Sequence, residues 1–253
     1  MPPLTLTHQH IKLVASLQQR KFRQQHGLFV AEGPRLVDEL LRSRLRVEEL
    51  LHLSAWRHPL MGHAQRCMAI GERDMQRMSG LSTPTEVLAV VGLPPNATVA
   101  RPSGLVLALD TVQDPGNLGT IIRLASWFGV EHIICSPTTA DAYAPKVVQS
   151  SMGAIARVGI SYQPLAEVLP TLGVPIYGTF MQGESIYTVP VRLPAVVVMG
   201  NEGNGIGPDV ERMVQGRLHI PSLSGQNSSV ESLNVAMATA IVCSELLGRP
   251  LRG

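Results

Sequence analysis

The apolar residues of the chain fall into short runs that alternate with amphipathic segments. Short apolar runs between turn residues are typical of strands, and apolar positions spaced three or four apart are typical of helices. The two patterns alternate along the whole chain, which predicts an α/β protein. Strands are predicted at residues 28–31, 46–53, 68–70, 87–91, 105–109, 132–135, 157–162, 176–180, 195–199 and 217–220. Helices are predicted at residues 8–25, 34–41, 74–78, 120–128, 145–155, 165–172, 208–215 and 233–247.

A proline-rich stretch divides this pattern into two parts. Residues 93–104 hold three prolines and little apolar periodicity, which is typical of a linker. We therefore predict a small α/β domain at residues 1–93, a linker at 94–104 and a larger α/β domain at 105–253. In the larger domain helices separate the strands, so we expect a Rossmann-like, mostly parallel sheet that is covered on both faces.

The stretch LVLALDTVQDPGNLGTIIRLASWF, residues 105–128, is the most informative one. It reads as a buried strand, a loop of Asp, Pro, Gly and Asn, and a helix that starts near Thr120. Such junctions build ligand sites at the carboxyl ends of parallel strands. Asn117 lies at the predicted helix entrance, and Arg123 lies in the first helical turns. An arginine in this apolar setting is either part of a structural ion pair or a contact to phosphate.

Two later stretches carry polar residues in similar positions. In VVVMGNEGNGIGP, residues 196–208, a strand runs into a glycine-rich turn that presents Glu202. This turn contains neither the G-x-G-x-x-G pattern of dinucleotide-binding folds nor a Walker lysine. Further on, Ser232 and Asn234 precede a strongly apolar helix. These two residues are either helix caps or members of a site.

Composition and charge narrow the possible classes of protein. The apolar fraction is 45% with a mean hydropathy of +0.15, and no apolar run approaches the roughly 20 residues of a membrane span. The N-terminal residues do not resemble a secretory leader. Three widely spaced cysteines form neither a disulfide framework nor a metal pattern, and the eight histidines show no ligand spacing. We therefore expect a reduced, cytoplasmic protein with no metal.

The positive charge is concentrated in the first part of the chain. Residues 1–101 carry 13 Lys and Arg against 8 Asp and Glu, whereas residues 102–253 carry 8 against 11. A basic module favours a polyanionic partner, although a basic surface without a partner would give the same count. Arg20, Lys21 and Arg23 cluster at the end of the first predicted helix. They either complement the helix dipole or contact RNA backbone.

Taken together, the three stretches resemble the motifs of the SpoU/TrmH branch of the SPOUT family of RNA methyltransferases. The order and spacing agree over residues 104–247. The matching motifs are Asp114-Pro115-Gly116-Asn117-Leu118-Gly119 through Arg123, Gly200-Asn201-Glu202-Gly203 with Gly205, and Ile220-Pro221 through Glu231-Ser232-Leu233-Asn234-Val235. Residues 21–23, 27–33 and 83–91 are similar to the small substrate-binding domain of many members.

The resemblance implies features that the apolar pattern does not reveal. It implies a deep trefoil knot in the C-terminal domain, with the last helix threaded through a loop. It also implies a ribosomal-protein-like fold for the N-terminal domain. The expected assembly is a homodimer whose interface includes the knot, so that the partner completes each site.

The resemblance also implies an activity, the transfer of a methyl group from S-adenosylmethionine to a ribose 2′-OH of structured RNA, with rRNA favoured over tRNA. Arg123 corresponds to the arginine to which the family assigns proton removal, guided by an RNA phosphate. Asn117 is expected to orient Arg123 or the ribose, and Glu202, Ser232 and Asn234 to position the nucleotide, the arginine and the loops. The residues expected to hold the cofactor are Thr179, Gly200, Ile220 and Leu233.

One departure from the family pattern lies beside the expected cofactor pocket. The loop Ser222–Glu231 is about four residues longer than the family pattern, with Gln226-Asn227-Ser228-Ser229 as the inserted part. This insertion keeps open a non-catalytic RNA-binding or ribosome-assembly protein of the same fold. A tRNA methyltransferase of the family is a second alternative. A nucleotide-binding oxidoreductase is disfavoured because its fingerprint is missing.

Overall fold

The computed structural model describes residues 6–96, 99–223 and 232–248. By packing, the chain divides into two compact units. The first comprises the described residues up to Pro95 together with Asp141–Arg157, and the second comprises those from Asn96 to Ala140 and from Val158 onward. The first boundary lies close to the predicted linker. The placement of Asp141–Arg157 in the first unit was not predicted.

The first unit is a four-stranded sheet between helices. The sheet order is β1-β4-β2-β3, in which only the β2–β3 pair is parallel. Its strands are β1 Leu28–Glu32, β2 Val47–Leu53, β3 Arg66–Ile70 and β4 Val87–Gly92. Its helices are α1 His8–Ser16, α2 Arg20–His26, α3 Pro34–Leu41, α4 Glu72–Met78 and, from the later segment, α6 Pro145–Ser150.

Helices pack against apolar residues of this sheet, whereas its strand β3 is largely exposed. Alternate residues of β4, Leu88 and Val90, join a core with apolar residues of α1 and α4. Helix α3 packs on β1 and β4, and α6 packs on β1. Because α6 buries Val147 and Val148, the segment Asp141–Arg157 contributes to the apolar core of the first unit.

The second unit contains a six-stranded sheet of the order β10-β8-β9-β5-β6-β7, and all of its strand pairs are parallel. This confirms the predicted parallel sheet. Its strands are β5 Leu105–Leu109, β6 His132–Cys135, β7 Gly159–Tyr162, β8 Ile176–Ser185, β9 Ala195–Met199 and β10 Gly216–His219. Its helices are α5 Pro115–Phe128, α7 Leu165–Val168, α8 Pro208–Glu211 and α9 Val235–Gly248.

The centre of this sheet has no exposed face. Every residue of β5 and β9 is buried, as expected for strands that read as continuous apolar runs. One face packs against the α7 and α8 region, including Leu165, Leu169 and Val210. Helices α5 and α9 pack against each other, and α5 also contacts β6. Polar groups of this region therefore concentrate in the loops at the strand ends.

Candidate active site

The site lies where β5 and β9 end. These strands are adjacent and parallel, with Leu109 paired to Met199, so the loops that follow them meet at one edge of the sheet. The first loop leads into α5, and the second is the glycine-rich turn after β9. This is the position at which open α/β sheets bind ligands.

Helix α5 begins earlier than the apolar pattern predicts. Asp114 has extended backbone angles, and its Oδ1 accepts a hydrogen bond of 2.8 Å from the amide of Asn117. Pro115 follows as the first helical residue. An aspartate cap and a proline in the first turn set the helix start at Pro115 rather than near Thr120. Asn117 therefore lies inside the first turn, with its side chain held at the mouth of the site.

Three of the predicted catalytic residues form one hydrogen-bonded chain. Asn117 Nδ2 donates to Glu202 Oε1, and Asn117 Oδ1 accepts a hydrogen bond of 3.0 Å from Asn234 Nδ2. Asn234 Oδ1 in turn accepts the backbone amides of Ala236 and Met237 at 3.0 and 3.3 Å. Asn234 thus caps α9 and is also bonded to Asn117. The sequence left open whether it is a helix cap or a site residue, and in the structure one side chain does both. The three motifs, separated by up to 117 positions, meet at Asn117.

Ser232 and Arg123, the other two predicted catalytic residues, lie close to members of this chain in sequence. Ser232 is exposed and precedes Asn234 by two residues. Arg123 is also exposed, about two turns after the start of α5. It lines an open groove of about 790 Å³ formed mainly by α5 and α9. Residues of α5 in the groove include Thr120, Leu124 and Trp127, and those of α9 include Ile241 and Ser244.

Three of the four predicted cofactor-binding residues lie in or directly after neighbouring strands. Gly200 follows β9, and Ile220 follows β10. Thr179 lies one residue beyond the pairing of β8 with β9, and its Oγ1 donates to Val198 O at 3.3 Å. The order β10-β8-β9 places all three at one edge of the sheet, and Leu233 lies at the start of α9 with its side chain half exposed. Main-chain groups at such an edge can bind an extended nucleoside and amino acid.

Gly200 is required by the shape of the turn. A Cβ at this position would lie 2.4 Å from the carbonyl carbon of Gly205, much closer than packing allows. Asn201 and Gly205 close the turn with two backbone hydrogen bonds of 2.9 Å.

Several polar residues that sequence reasoning missed support this edge. Asp110 is buried, and its Oδ2 accepts a hydrogen bond of 2.7 Å from the amide of Gly207. Thr111 has a φ of 59°, a left-handed conformation that costs a β-branched residue about 1–3 kcal/mol. Asn201 Nδ2 donates to the carbonyl of Thr111 at 2.8 Å. An Asn two residues before a glycine is a sequence signal for the turn, but nothing in the sequence indicates the bond to Thr111.

The three basic residues predicted to contact RNA separate into two groups. Arg20 and Lys21 are exposed on α2. Arg23 is only 3% exposed, pairs with Asp141 at 2.7 Å and donates to the carbonyls of Leu17 and Gln18 at 2.8 Å. The prediction of Arg23 as an RNA contact was wrong, because its guanidinium already binds groups of its own unit.

Within residues 6–96, 99–223 and 232–248, no cluster of His, Cys, Asp or Glu has the arrangement of a metal site. No helix in these ranges has both the length and the apolar character to cross a membrane. The cysteines are unpaired, and burial raises the pKa of Cys243 to about 12. The inserted loop residues Gln226 to Ser229 lie outside the described residues.

Comparisons with known proteins agree with this arrangement. The chain is 33% identical over 248 residues to the 23S rRNA (guanosine(2553)-2′-O)-methyltransferase RlmP of Bacillus subtilis, covering 95% of this chain and 97% of that protein. A TrmH-family protein from Porphyromonas gingivalis has a TM-score of 0.85 at 40% identity, over 96% of this chain and 98% of that chain. The AdoMet-bound rRNA methyltransferase from Sinorhizobium meliloti has a TM-score of 0.83 at 26% identity, over 98% and 97%.

Family models divide the chain as the motifs do. Residues 8–89 match the MRM3-like substrate binding domain. Residues 104–244 match the SpoU rRNA Methylase family, and this range contains the polar chain of Asn117, Glu202 and Asn234. The three-motif resemblance is confirmed, and the chain belongs to the SpoU rRNA methylase family.

Proposed function

We propose that this protein is an S-adenosylmethionine-dependent methyltransferase that modifies a ribose 2′-OH in rRNA. The observation that carries the proposal is the hydrogen-bonded chain of Asn117, Glu202 and Asn234 at the strand ends, within a chain of this family. The relatives support rRNA rather than tRNA, because RlmP of Bacillus subtilis is named for 23S rRNA and the similar structure from Sinorhizobium meliloti for rRNA.

The chemistry divides between the cofactor and the protein. S-adenosylmethionine supplies the methyl group on an electrophilic sulfonium. A ribose hydroxyl is a weak nucleophile that must lose its proton as it reacts. A guanidinium stays charged in proteins and is therefore a poor base, but that of Arg123 can bind phosphate and stabilise a developing alkoxide. We assign these two roles to Arg123. The RNA phosphate steers its guanidinium toward the ribose, and the hydroxyl proton passes to solvent as the oxygen is methylated.

The remaining polar residues orient the reactants. Asn117 is held from both sides by Glu202 and Asn234, so its amide is fixed before RNA binds. Fixed groups lower the entropic cost of aligning a nucleophile with its target. Ser232, exposed just before Asn234, extends this surface toward the nucleotide.

The cofactor is held mainly by backbone groups. Thr179, Gly200 and Ile220 occupy one edge of the sheet, and Leu233 borders it. Backbone amides and carbonyls at such an edge suit an adenosine and a methionine, whose hydrogen-bonding groups are neutral or zwitterionic. The longer loop Ser222–Glu231 adjoins Ile220, and we expect it to tune affinity for the cofactor.

RNA recognition is assigned to the N-terminal domain. We retain residues 1–93 as the RNA-binding domain, 94–104 as the linker and 105–253 as the catalytic domain. The basic balance of the first part and the match of residues 8–89 to a substrate-binding domain support this division. Its fold is proposed to be ribosomal-protein-like, with Arg20 and Lys21 as the exposed contacts to the RNA backbone.

A homodimer with a trefoil knot is the assembly we propose. The groove between α5 and α9 exposes Trp127, at 83% of its surface, and Tyr187. Exposed aromatic side chains of this size are unusual on a monomer and typical of an interface. Since Arg123 lines the same groove, a partner seated there would help to complete the site. The knot, with α9 threaded through a loop, is supported by the family alone.

A cytoplasmic location is also proposed. Cys67, Cys135 and Cys243 are unpaired, as expected in a reducing compartment, and an rRNA substrate requires access to ribosomal particles or their precursors.

Calorimetric titration with S-adenosylmethionine tests the cofactor assignment. We expect one site per chain, and expect the Gly200→Ala variant to bind much more weakly because its Cβ distorts the turn. Folded wild-type protein that binds no cofactor, alone or with rRNA, would contradict the proposal and favour a non-catalytic RNA-binding protein. An ultraviolet spectrum showing a bound dinucleotide would favour an oxidoreductase instead.

A further inference from the structure

Thr111 is held in an unfavourable conformation by contacts on every side. Its φ of 59° places a β-branched residue in the left-handed region. Its amide donates to Ser136 Oγ at 2.9 Å, and its Oγ1 lies 3.1 Å from Asp110 Oδ1 and 3.0 Å from Thr138 Oγ1. Its carbonyl accepts a hydrogen bond of 2.8 Å from the side-chain Nδ2 of Asn201. Strain of this kind persists only where surrounding groups impose it.

Both the nitrogen and the oxygen of the Asn201 side-chain amide form hydrogen bonds. Its Nδ2 donates to the carbonyl of Thr111, and its Oδ1 accepts the backbone amides of Gly203 and Asn204 at 2.8 and 3.1 Å. If the side-chain amide were rotated by 180°, its NH₂ group would face the backbone N–H donors of Gly203 and Asn204. These contacts therefore fix its orientation. Asn201 therefore shapes its own turn and also fastens that turn to the loop after β5.

Adjacent residues of the turn hold both ends of that loop. Asn201 holds Thr111, which follows the end of β5, and Glu202 holds Asn117, in the first turn of α5. Two attachments six residues apart prevent the loop from rotating about either one. The Asn201 attachment thereby sets the position at which Glu202 meets Asn117.

We propose that Asn201 and Thr111 are positioning residues for catalysis, which align Glu202 and Asn117 through the bond between the Asn201 amide and the Thr111 carbonyl. Neither side chain is assigned a contact with the reacting atoms. This proposal rests on the proposed methyltransferase function. Its specific content is that the strained threonine and the asparagine act as one unit.

The Asn201→Asp substitution removes this bond selectively. The aspartate keeps the oxygen that accepts the amides of Gly203 and Asn204, but it presents a second oxygen, and no donor, to the Thr111 carbonyl. The matched control is Asn204→Asp, which makes the same chemical change three residues away on an exposed side chain. The Thr111→Gly substitution supplies a second test, because glycine adopts a positive φ without strain and needs no fastening.

We expect Asn201→Asp to lower kcat at least tenfold, with KM for rRNA and the Kd of S-adenosylmethionine changed less than threefold. Asn204→Asp should stay within twofold of wild type. In a Thr111→Gly background the loss caused by Asn201→Asp should be at least threefold smaller than in wild type. An equal loss in both backgrounds, or equal effects of the two aspartate variants, would overturn the proposal.

Amide hydrogen exchange gives a readout that does not depend on turnover. Asn201→Asp should accelerate exchange in residues 110–117 at least tenfold, and Asn204→Asp should leave it unchanged. Unaltered exchange in Asn201→Asp would refute the fastening role even in a protein without methyltransferase activity. Suppose instead that the wild-type protein binds no cofactor while Asn201→Asp accelerates exchange as expected. That result would contradict the proposed function but support the role of Asn201 in holding the loop.

Discussion

Polar side chains serve different purposes in the two units. In the first unit Arg23 and Glu32 are buried, and their partners complete the fold. Arg23 binds Asp141 and two carbonyls, and Glu32 accepts from the Ser79 hydroxyl and, at 2.8 Å, the Gly80 amide. In the second unit Asn117, Glu202 and Asn234 bond to one another at a sheet edge that remains open to a ligand.

Two arginines show the same contrast between a buried polar residue and an exposed one. Arg23 lies in the last turn of α2 and was predicted to contact RNA backbone, whereas Arg123 lies on α5 and was predicted to bind phosphate or to form an ion pair. Their surroundings differ, since Arg23 is enclosed by its own unit whereas Arg123 lies exposed on a groove. Exposure, rather than residue type, therefore distinguishes the arginine that can reach a ligand from the one that completes the fold.

Arg23→Met should cause the largest effect and should act on stability. It leaves the Asp141 carboxylate and the carbonyls of Leu17 and Gln18 without their cation. Removing one partner of a buried ion pair costs about 3–5 kcal/mol, so urea denaturation should show a loss of that size. Arg20→Met, on the exposed side of the same helix, should change stability by less than about 0.5 kcal/mol. Equal losses of stability in the two variants would contradict the structural role assigned to Arg23.

Arg123→Ala should act on turnover alone. Loss of a group that stabilises transition-state charge lowers kcat about 10²–10³-fold. Calorimetry should show nearly unchanged binding of S-adenosylmethionine, and urea denaturation an unchanged stability. Arg212→Ala, an exposed arginine of the same unit, is the control and should keep full activity. A parallel loss of cofactor binding in Arg123→Ala would show that its role is misassigned.

The sequence predicts the strands of the second unit best. The bounds of β5, β6 and β9 agree with prediction residue for residue, because strands covered on both faces are continuous apolar runs with turn residues at their ends. The polar residues near the ends of these strands were also predictable from the sequence. Asn117, Glu202 and Asn234 each follow a recognisable strand or precede a recognisable helix, and the structure brings all three together.

What the sequence does not reveal depends on contacts distant along the chain. The helix predicted over residues 8–25 is broken at Leu17–Gln19, where Arg23 draws two carbonyls out of the helical ladder. The segment Asp141–Arg157 joins the first unit although both its neighbours along the chain belong to the second. The bond between Asn201 and Thr111 joins residues 90 positions apart. Local periodicity contains no information on any of these.

Arg20→Ala combined with Lys21→Ala should weaken RNA binding without changing the fold. Each lost phosphate contact reduces the magnitude of the negative slope of log K against log salt by up to about 1, so the double variant should reduce it by up to about 2. Filter binding to rRNA fragments at several salt concentrations measures it. Arg73→Ala, exposed on α4, is the control. An unchanged slope in the double variant would mean that the exposed face of α2 does not meet RNA.

The reactivity of the cysteine thiols should also differ between the two units. Cys67 in the first unit is exposed, whereas Cys135 and Cys243 in the second are buried. Burial raises the pKa of both buried thiols, that of Cys243 to about 12, so they carry almost no thiolate at neutral pH. Native protein should therefore react with a thiol reagent at Cys67 only, and at all three positions in urea. Fast labelling of Cys243 in native protein would contradict its burial.

The most direct test follows the methyl group itself. Protein incubated with methyl-labelled S-adenosylmethionine and rRNA from cells lacking this protein should transfer the label, and alkali should leave the label in resistant dinucleotides, because a methylated 2′ oxygen cannot attack the neighbouring phosphate. Arg123→Ala should transfer almost none. Label released in mononucleotides would mean that a base is modified, and an absence of transfer by cofactor-bound wild-type protein would contradict the assignment of this site to rRNA ribose methylation.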